Sequence, residues 1–412
     1  MNEMPTLRPI AWLGKRIGSI PQAKRGLALL VFGILLLGGL IALDQLVINK
    51  MLESSIGQFS DISFYQERAQ TILDGKWLYR DVQSEAPPLI SYFFVIPQLA
   101  GGAVAAYQTY FAAFTMLTAL ALYYGLRKWD NLKAFKIGII YLLSPFGVIE
   151  SVFGIQDESI MVFLFLLAVI LALRGNGRLS ALTVAVGIWT KVFAGLFYPV
   201  LFLKTKEWRE RLVHLGIIAV LSIAISLPFL IVAPNEFLAF PTYYFLGGSA
   251  TPATGISIWD FLGAGGLNVP GMVLLGVALV GLVGGLWLVK KRDLEIWQGI
   301  LLIMVIFLIF YSRILVGYYI LPVAFLLVWA VDDRKMLLKT FLMYLPFFAS
   351  LAFTRDTRLG HAFINEPWSW AAGLALSLLG TLMLIDLTLQ ALRTKPFIYR
   401  SQEETEKAVK SS

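Results

Sequence analysis

Apolar runs alternate with short basic clusters along most of the chain, and this alternation predicts a bundle of membrane-crossing helices. The first run, Leu27 to about Ile48, is long enough to span a bilayer and lacks the small-residue cleavage site that follows a signal peptide. Further runs lie at about 104–126, 134–149, 159–173, 179–190, 192–203 and 212–232. They continue at about 271–289, 295–311, 315–330, 337–353 and 369–389. Basic groups such as Arg127, Lys128, Lys133 and Lys136, then Arg174 and Arg178, then Lys204, Lys206, Arg209 and Arg211, fall at every second boundary. The positive-inside tendency places them all on the cytoplasmic face. The expected architecture is therefore an all-α polytopic membrane protein of about twelve transmembrane helices, with both termini cytoplasmic. It divides into a cytoplasmic segment 1–26, a transmembrane domain 27–390 and a polar cytoplasmic tail 391–412.

One apolar run does not fit the count. Residues 87–100 are too short to cross comfortably and contain Pro97, which would break the hydrogen bonding of a regular helix. Were they to cross, the Arg127–Lys136 cluster would lie outside, so they are read as a juxtamembrane or re-entrant segment. They close a first external loop, 49–103, whose water-compatible part carries Asp61, Glu67, Arg68, Asp74, Asp81 and Glu85. Ser60 or Asp61 caps an expected surface helix running to about Leu73, with Phe64, Tyr65, Ala69 and Ile72 on or near one face; Asp74-Gly75 supplies a turn. Residues 233–270, rich in Gly, Pro and aromatics, are expected to form a long external loop.

Composition agrees with the pattern: 58% of residues are hydrophobic, 15% charged, and the mean hydropathy is +0.75. The net charge of +8 belongs to the cytoplasmic clusters and not to a nucleic-acid groove, so no nucleic-acid partner is expected. With no cysteine there is no disulfide, thiolate nucleophile or thiolate metal site. The two isolated histidines do not make a zinc site, and no cofactor or metal is expected.

The topology gathers distant residues on the external side: Asp61, Glu67 and Glu85, then Asp157 and Glu158, then Lys191 and Arg313. Carboxylates there can act as a base toward a hydroxyl, while Lys and Arg can hold a phosphate. Plain structural roles compete with this reading. Asp61 can be a helix cap, Asp157 and Glu158 can cap the fourth span, Lys191 can snorkel, and Arg313 can anchor a span end. Lys191, between two short runs, is expected at the floor of an external cavity. Asp74 and Asp81 are assigned to turns, and His214 to a structural role. Asp44 either pairs with a neighbouring helix or faces the cavity. His361 lies externally, within reach of a polar substrate. Tyr243, Tyr244, Tyr318 and Tyr319 suit interfacial belts first and sugar stacking second.

The order of features resembles the C-type membrane glycosyltransferase superfamily, especially its polyprenyl-phosphate-mannose-dependent mannosyltransferases. It runs through Ser60-Asp61 with Phe64-Tyr65, Tyr79-Arg80-Asp81, Glu85-Ala86-Pro87-Pro88-Leu89 and Gly154-Ile155-Gln156-Asp157. It continues through Lys191 with Pro199, and Tyr318-Tyr319 with Leu321-Pro322. The usual Tyr-Pro-Pro or His-Pro-Pro is Ala86-Pro87-Pro88 here, and Ile155 interrupts the Gly-Gln-Asp element. The resemblance implies a C-type fold with external juxtamembrane helices in the first loop, a catalytic acid at Asp61 and a second at Asp157. Glu67, Arg68, Glu85, Glu158, Lys191, Arg313, Tyr318, Tyr319 and His361 are then candidates for binding substrate. The implied reaction is inverting transfer of a hexose, mannose by preference, from a polyprenyl-phosphate donor to a glycan or lipid acceptor. It would occur at the external face of the plasma membrane and need no divalent metal. The main alternative is a proton-coupled secondary transporter of a small solute; a flippase, an oligosaccharide ligase and a structural subunit stand behind it.

Overall fold

In the computed structural model, residues 18–48, 51, 60–246, 253–354, 363 and 366–399 are described. Helices dominate, as the apolar runs require: in a bilayer the backbone must satisfy its own hydrogen bonds, and an α-helix does so within one segment. The one pair of strands, among the described residues, is two residues long; Thr254–Gly255 runs parallel to Arg313–Ile314.

By length and composition, six described helical segments suffice to cross a membrane: Gln22–Ile48, Val104–Leu126, Trp208–Val232, Gly271–Lys291, Arg334–Phe353 and Ser369–Tyr399. A seventh is reached if Asn131–Leu142 and Pro145–Phe153, bent by 50° at Leu143-Ser144, count as one span. The chain is thus a multi-pass membrane protein, but the expected count of about twelve is not met. The other apolar runs form shorter helices, among them Glu158–Leu173, Ile296–Phe310 and Val316–Ala330. At 1.5 Å per residue, a helix of 16 residues rises about 24 Å, less than the ~30 Å of a hydrocarbon core.

Burial explains why the hydropathy pattern overcounts. Every residue of Ile320–Ala330 is buried in the protein, whereas in Trp208–Val232 only 6% of the most apolar 18-residue window is buried. An all-apolar helix is written the same way for either solvent, protein or lipid. Asp44 sits within this packing and not in an external cavity: Gln108 Nε2 donates to its Oδ2 at 2.5 Å and to Val152 O at 2.8 Å, tying the first span to the second.

The first loop follows the expectation closely. Ile62–Leu73 is helical, turns at Asp74-Gly75, and buries Ile62, Tyr65 and Ala69, although Phe64 points away from that face and is exposed. A second helix, Pro88–Leu99, runs through Pro97 without breaking, because the proline stands in the last turn before Gly101 and Gly102 end the helix. The two helices pack through Tyr65 and Phe94, ring centroids 4.3 Å apart, and Gln66 Nε2 donates to Gly102 O at 2.7 Å. The expected long loop at 233–270 is instead partly helical. Pro234, whose missing N–H costs nothing at a first helical position, opens Pro234–Leu246, and Ser257 caps Ile258–Ala264.

Candidate active site

A cavity of about 680 Å³ opens between the first-loop helices and the ends of four distant segments. That volume falls within the range of small-molecule sites. Its wall takes Asp61 from the N-cap of the Ile62–Leu73 helix, Glu67 and Arg68 from the middle of that helix, and Glu85 from the turn before Pro87. Asp157 and Glu158 come from the start of Glu158–Leu173, Lys191 from a helix break, and Arg313 and Tyr318 from the segment after Ile296–Phe310. The residues singled out in five parts of the sequence therefore meet in one place, with one exception among the described residues. Tyr319 turns into the core, where its ring stacks on Phe347 at 3.8 Å, while its neighbour Tyr318 lines the cavity. His361 lies outside the described residues.

Asp61 stands at the N-cap position yet makes no side-chain capping bond. The helix-cap role is thus unfilled, and the carboxylate is exposed to the cavity. Surrounding protein raises its pKa by desolvation, and Asp157 adds to the rise; Lys191 and Arg68 oppose it. A carboxylate so held has a greater appetite for a proton than a solvated one.

Asp157 and Glu158 do not cap their helix either. Both are turned onto Lys191, whose Nζ donates to Asp157 Oδ1 at 2.6 Å and to Glu158 Oε1 at 2.7 Å. Side chains of all three are nearly sequestered, at 10%, 1% and 9% exposure for Asp157, Glu158 and Lys191. Lys191 therefore does not snorkel. It ends the Gly177–Thr190 helix in an extended conformation, so its ammonium is aimed inward, 5.6 Å from the centre of the Tyr318 ring. Glu158 fits because position 317 is glycine: a Cβ there would lie 2.9 Å from Glu158 Cγ.

Arg313 is held differently. Backbone bonds fix its segment, Thr254 N–H to Ser312 O at 3.0 Å and Ile256 N–H to Ile314 O at 2.8 Å. Its guanidinium lies 3.7 Å from the centre of the Tyr243 ring, and Nη1 is buried without a hydrogen-bond partner. A buried, unsatisfied donor on a cation facing a cavity is costly unless an anion arrives. Tyr243 in turn interacts with both Arg313 and Glu85.

Asp74 and Asp81 keep their turn roles; Asp81 Oδ2 accepts from Trp77 N–H at 2.7 Å, and Asp74 accepts from Gln70 and Lys76. His214 is buried at the other end of the molecule's helices, 3.9 Å from Glu210. Sequence reasoning placed Tyr243 and Tyr244 in interfacial belts first, but both line the cavity, as do Gln156 and Tyr311. Only the aromatic density of 240–245 hinted at this. Among the described residues, no three His, Cys, Asp or Glu side chains are grouped to hold a metal ion.

The profile of glycosyltransferase family 87 matches residues 87–328, more than half of the chain. The chain belongs to glycosyltransferase family 87. The family 87 match takes in Asp157, Glu158, Lys191, Tyr243, Arg313 and Tyr318 and begins after Asp61. Among solved structures, this family 87 chain is similar to ArnT from Cupriavidus metallidurans bound to undecaprenyl phosphate. The TM-score is 0.47 and the identity 16%, over 79% of this chain and 72% of that one. No curated protein matches it.

Proposed function

We propose that the protein transfers a hexose, mannose first among the candidates, from a polyprenyl-phosphate carrier to a hydroxyl of a glycan or lipid acceptor at the external face of the plasma membrane. The observation that carries this reading is one cavity holding both an uncapped carboxylate, Asp61, and a cation with an unpartnered donor, Arg313.

The reaction moves one negative charge. As the acceptor oxygen bonds to the anomeric carbon, its proton passes to Asp61, and the bond from that carbon to the phosphate oxygen breaks, leaving polyprenyl phosphate with one more negative charge. Charge leaves a site that favours protonation and arrives where the Arg313 guanidinium lines the cavity wall. Single displacement by this route inverts the anomeric centre. Lys191, the other expected phosphate ligand, is already bound by two carboxylates, so the anion falls to Arg313, with Arg68 on the same wall. Asp157 acts through its field on Asp61 and its bond to Lys191, as a positioning residue. Tyr243, Tyr244 and Tyr318 offer ring faces and hydroxyls to a sugar.

The test is transfer from a panel of radiolabelled polyprenyl-phosphate sugars to a lipid and glycan extract, comparing wild type with Asp61→Asn, each with and without chelator. A product made by wild type and lost in the folded variant supports the reading and names the sugar. Equal product from Asp61→Asn refutes the base. No product from any donor, together with saturable solute uptake in proteoliposomes, transfers the protein to the transporter class.

A further inference from the structure

A second polar cleft, of about 570 Å³, lies far from the candidate active site and is lined by Gln22, Arg127, Lys128, Asn131, Arg174 and Asn176. One helix relates the two. Glu158, the first residue of Glu158–Leu173, lines the cavity described above, and Arg174, at the other end of that helix, lines this cleft. Sixteen residues at 1.5 Å separate them by about 24 Å.

Three cations face this cleft and no carboxylate lines it. Three other basic residues are paired: Lys133 with Asp332 at 2.7 Å, Arg178 with Glu210 at 2.7 Å, Lys204 with Asp293 at 2.6 Å. Arg127, Lys128 and Arg174 have no salt bridge among the described residues. Asp130, the closest acid in sequence, spends Oδ1 on the N–H groups of Leu132 and Lys133. Arg127 and Lys128 lie over the rings of Tyr124 and Trp129 at 4.7 and 4.0 Å, which orients them without neutralising them. Arg174 binds the carbonyls of Tyr124 and Gly125 through Nη2 and Nε. The Gly177–Thr190 helix begins here, with Asn176 at its N-cap and no side-chain cap. Free amides at a helix start add to the attraction for an anion.

We propose that this cleft binds a phosphate group, carried by an anionic phospholipid headgroup or by a soluble phosphate, at the end of the bundle opposite the candidate active site. The proposal does not rest on glycosyl transfer. Convergent like charges without an acid repel one another, and an anion between them removes the repulsion while accepting hydrogen bonds from all three.

The experiment is lipid binding by the full-length protein in uncharged detergent, followed by native mass spectrometry. Phosphatidylglycerol is compared with phosphatidylcholine, and inorganic phosphate is added as competitor. Wild type binds phosphatidylglycerol in preference. Arg127→Gln with Lys128→Gln weakens that binding about 25-fold, at about fivefold per surface cation, and leaves phosphatidylcholine unchanged. Asn176→Asp leaves all three cations in place but adds a carboxylate to the cleft, and produces a loss in the same direction. Displacement by millimolar inorganic phosphate, absent in the double variant, assigns the site to soluble phosphate; resistance assigns it to the headgroup. The proposal is overturned if both folded variants bind phosphatidylglycerol as wild type does and none of the three proteins binds inorganic phosphate.

Discussion

Replacing Lys191 by methionine removes the cation from a buried cluster and leaves two carboxylates facing each other. At an effective dielectric of about 20, each contact of 2.6 or 2.7 Å contributes about 6 kcal/mol of attraction, most of it offset by the desolvation of three charges. What remains on deletion is the cost of stranded charge, about 3–5 kcal/mol at neutral pH. The sign with pH follows. A stranded carboxylate binds its proton more tightly in the folded state than in the unfolded one, so the deficit is largest at high pH and shrinks as pH falls toward the ordinary carboxylate range. SDS or thermal unfolding of detergent-purified protein at pH 8 and pH 5 measures it. The double variant Lys191→Met, Glu158→Gln should recover a large part of the loss, a coupling that a purely steric effect of methionine would not show. Lys191 also lowers the pKa of Asp61, so in Lys191→Met that pKa climbs further and the acid limb of transfer activity moves to higher pH. Equal stability of wild type and Lys191→Met at pH 8, with no change in the acid limb, would refute the argument.

Other substitutions read the rest of the cavity. Asp61→Asn should lower transfer about 10²–10⁴-fold, the usual contribution of a general base, with the unfolding transition unchanged. Because desolvation raises Asp61, wild-type activity should rise with pH through a limb above the normal aspartate range, and a limb at about 4 would remove Asp61 from that role. Arg313→Ala should raise the donor KM far more than the acceptor KM, and Arg313→Lys should restore only part, since lysine keeps the charge and loses the paired N–H groups; an unchanged donor KM in Arg313→Ala would move the anion site elsewhere. Gly255 has φ +74°, and a Cβ there would lie 2.2 Å from Ile314 O. Gly255→Ala should therefore part the two short strands and reproduce a milder form of the Arg313→Ala donor defect, measured in the same assay.

The local chemistry was more legible than the span count. Charge and turn signals were enough to place the Ile62–Leu73 helix and to keep 87–100 from counting as a span, because a polar stretch between apolar ones leaves few physical options; the unbroken helix through Pro97 was not foreseen. The same topology argument put Asp61, Asp157, Lys191 and Arg313 on one side of the membrane, and they share a cavity. Hydropathy failed where it measures the wrong thing: Ile320–Ala330 and Trp208–Val232 look alike in sequence although one is shielded by protein and the other is not. Partner choice was also out of reach. Lys191 was read as a phosphate ligand, and only three-dimensional packing reveals that Asp157 and Glu158 already occupy it. The divergence of Tyr318 from Tyr319 depends on a 3₁₀ turn at Val316–Tyr319 that no residue pattern announces.

The short parallel pairing of Thr254–Gly255 with Arg313–Ile314 bears on how such a site can diversify. Main-chain amides carry no side-chain identity, so the aim of the guanidinium is indifferent to what stands at 254 and 314, with glycine at 255 the single demand. Mutational drift can then recut the cavity wall at Tyr244 and Gln156 while Arg313 stays in register, provided the Tyr243 ring that it lies against is kept.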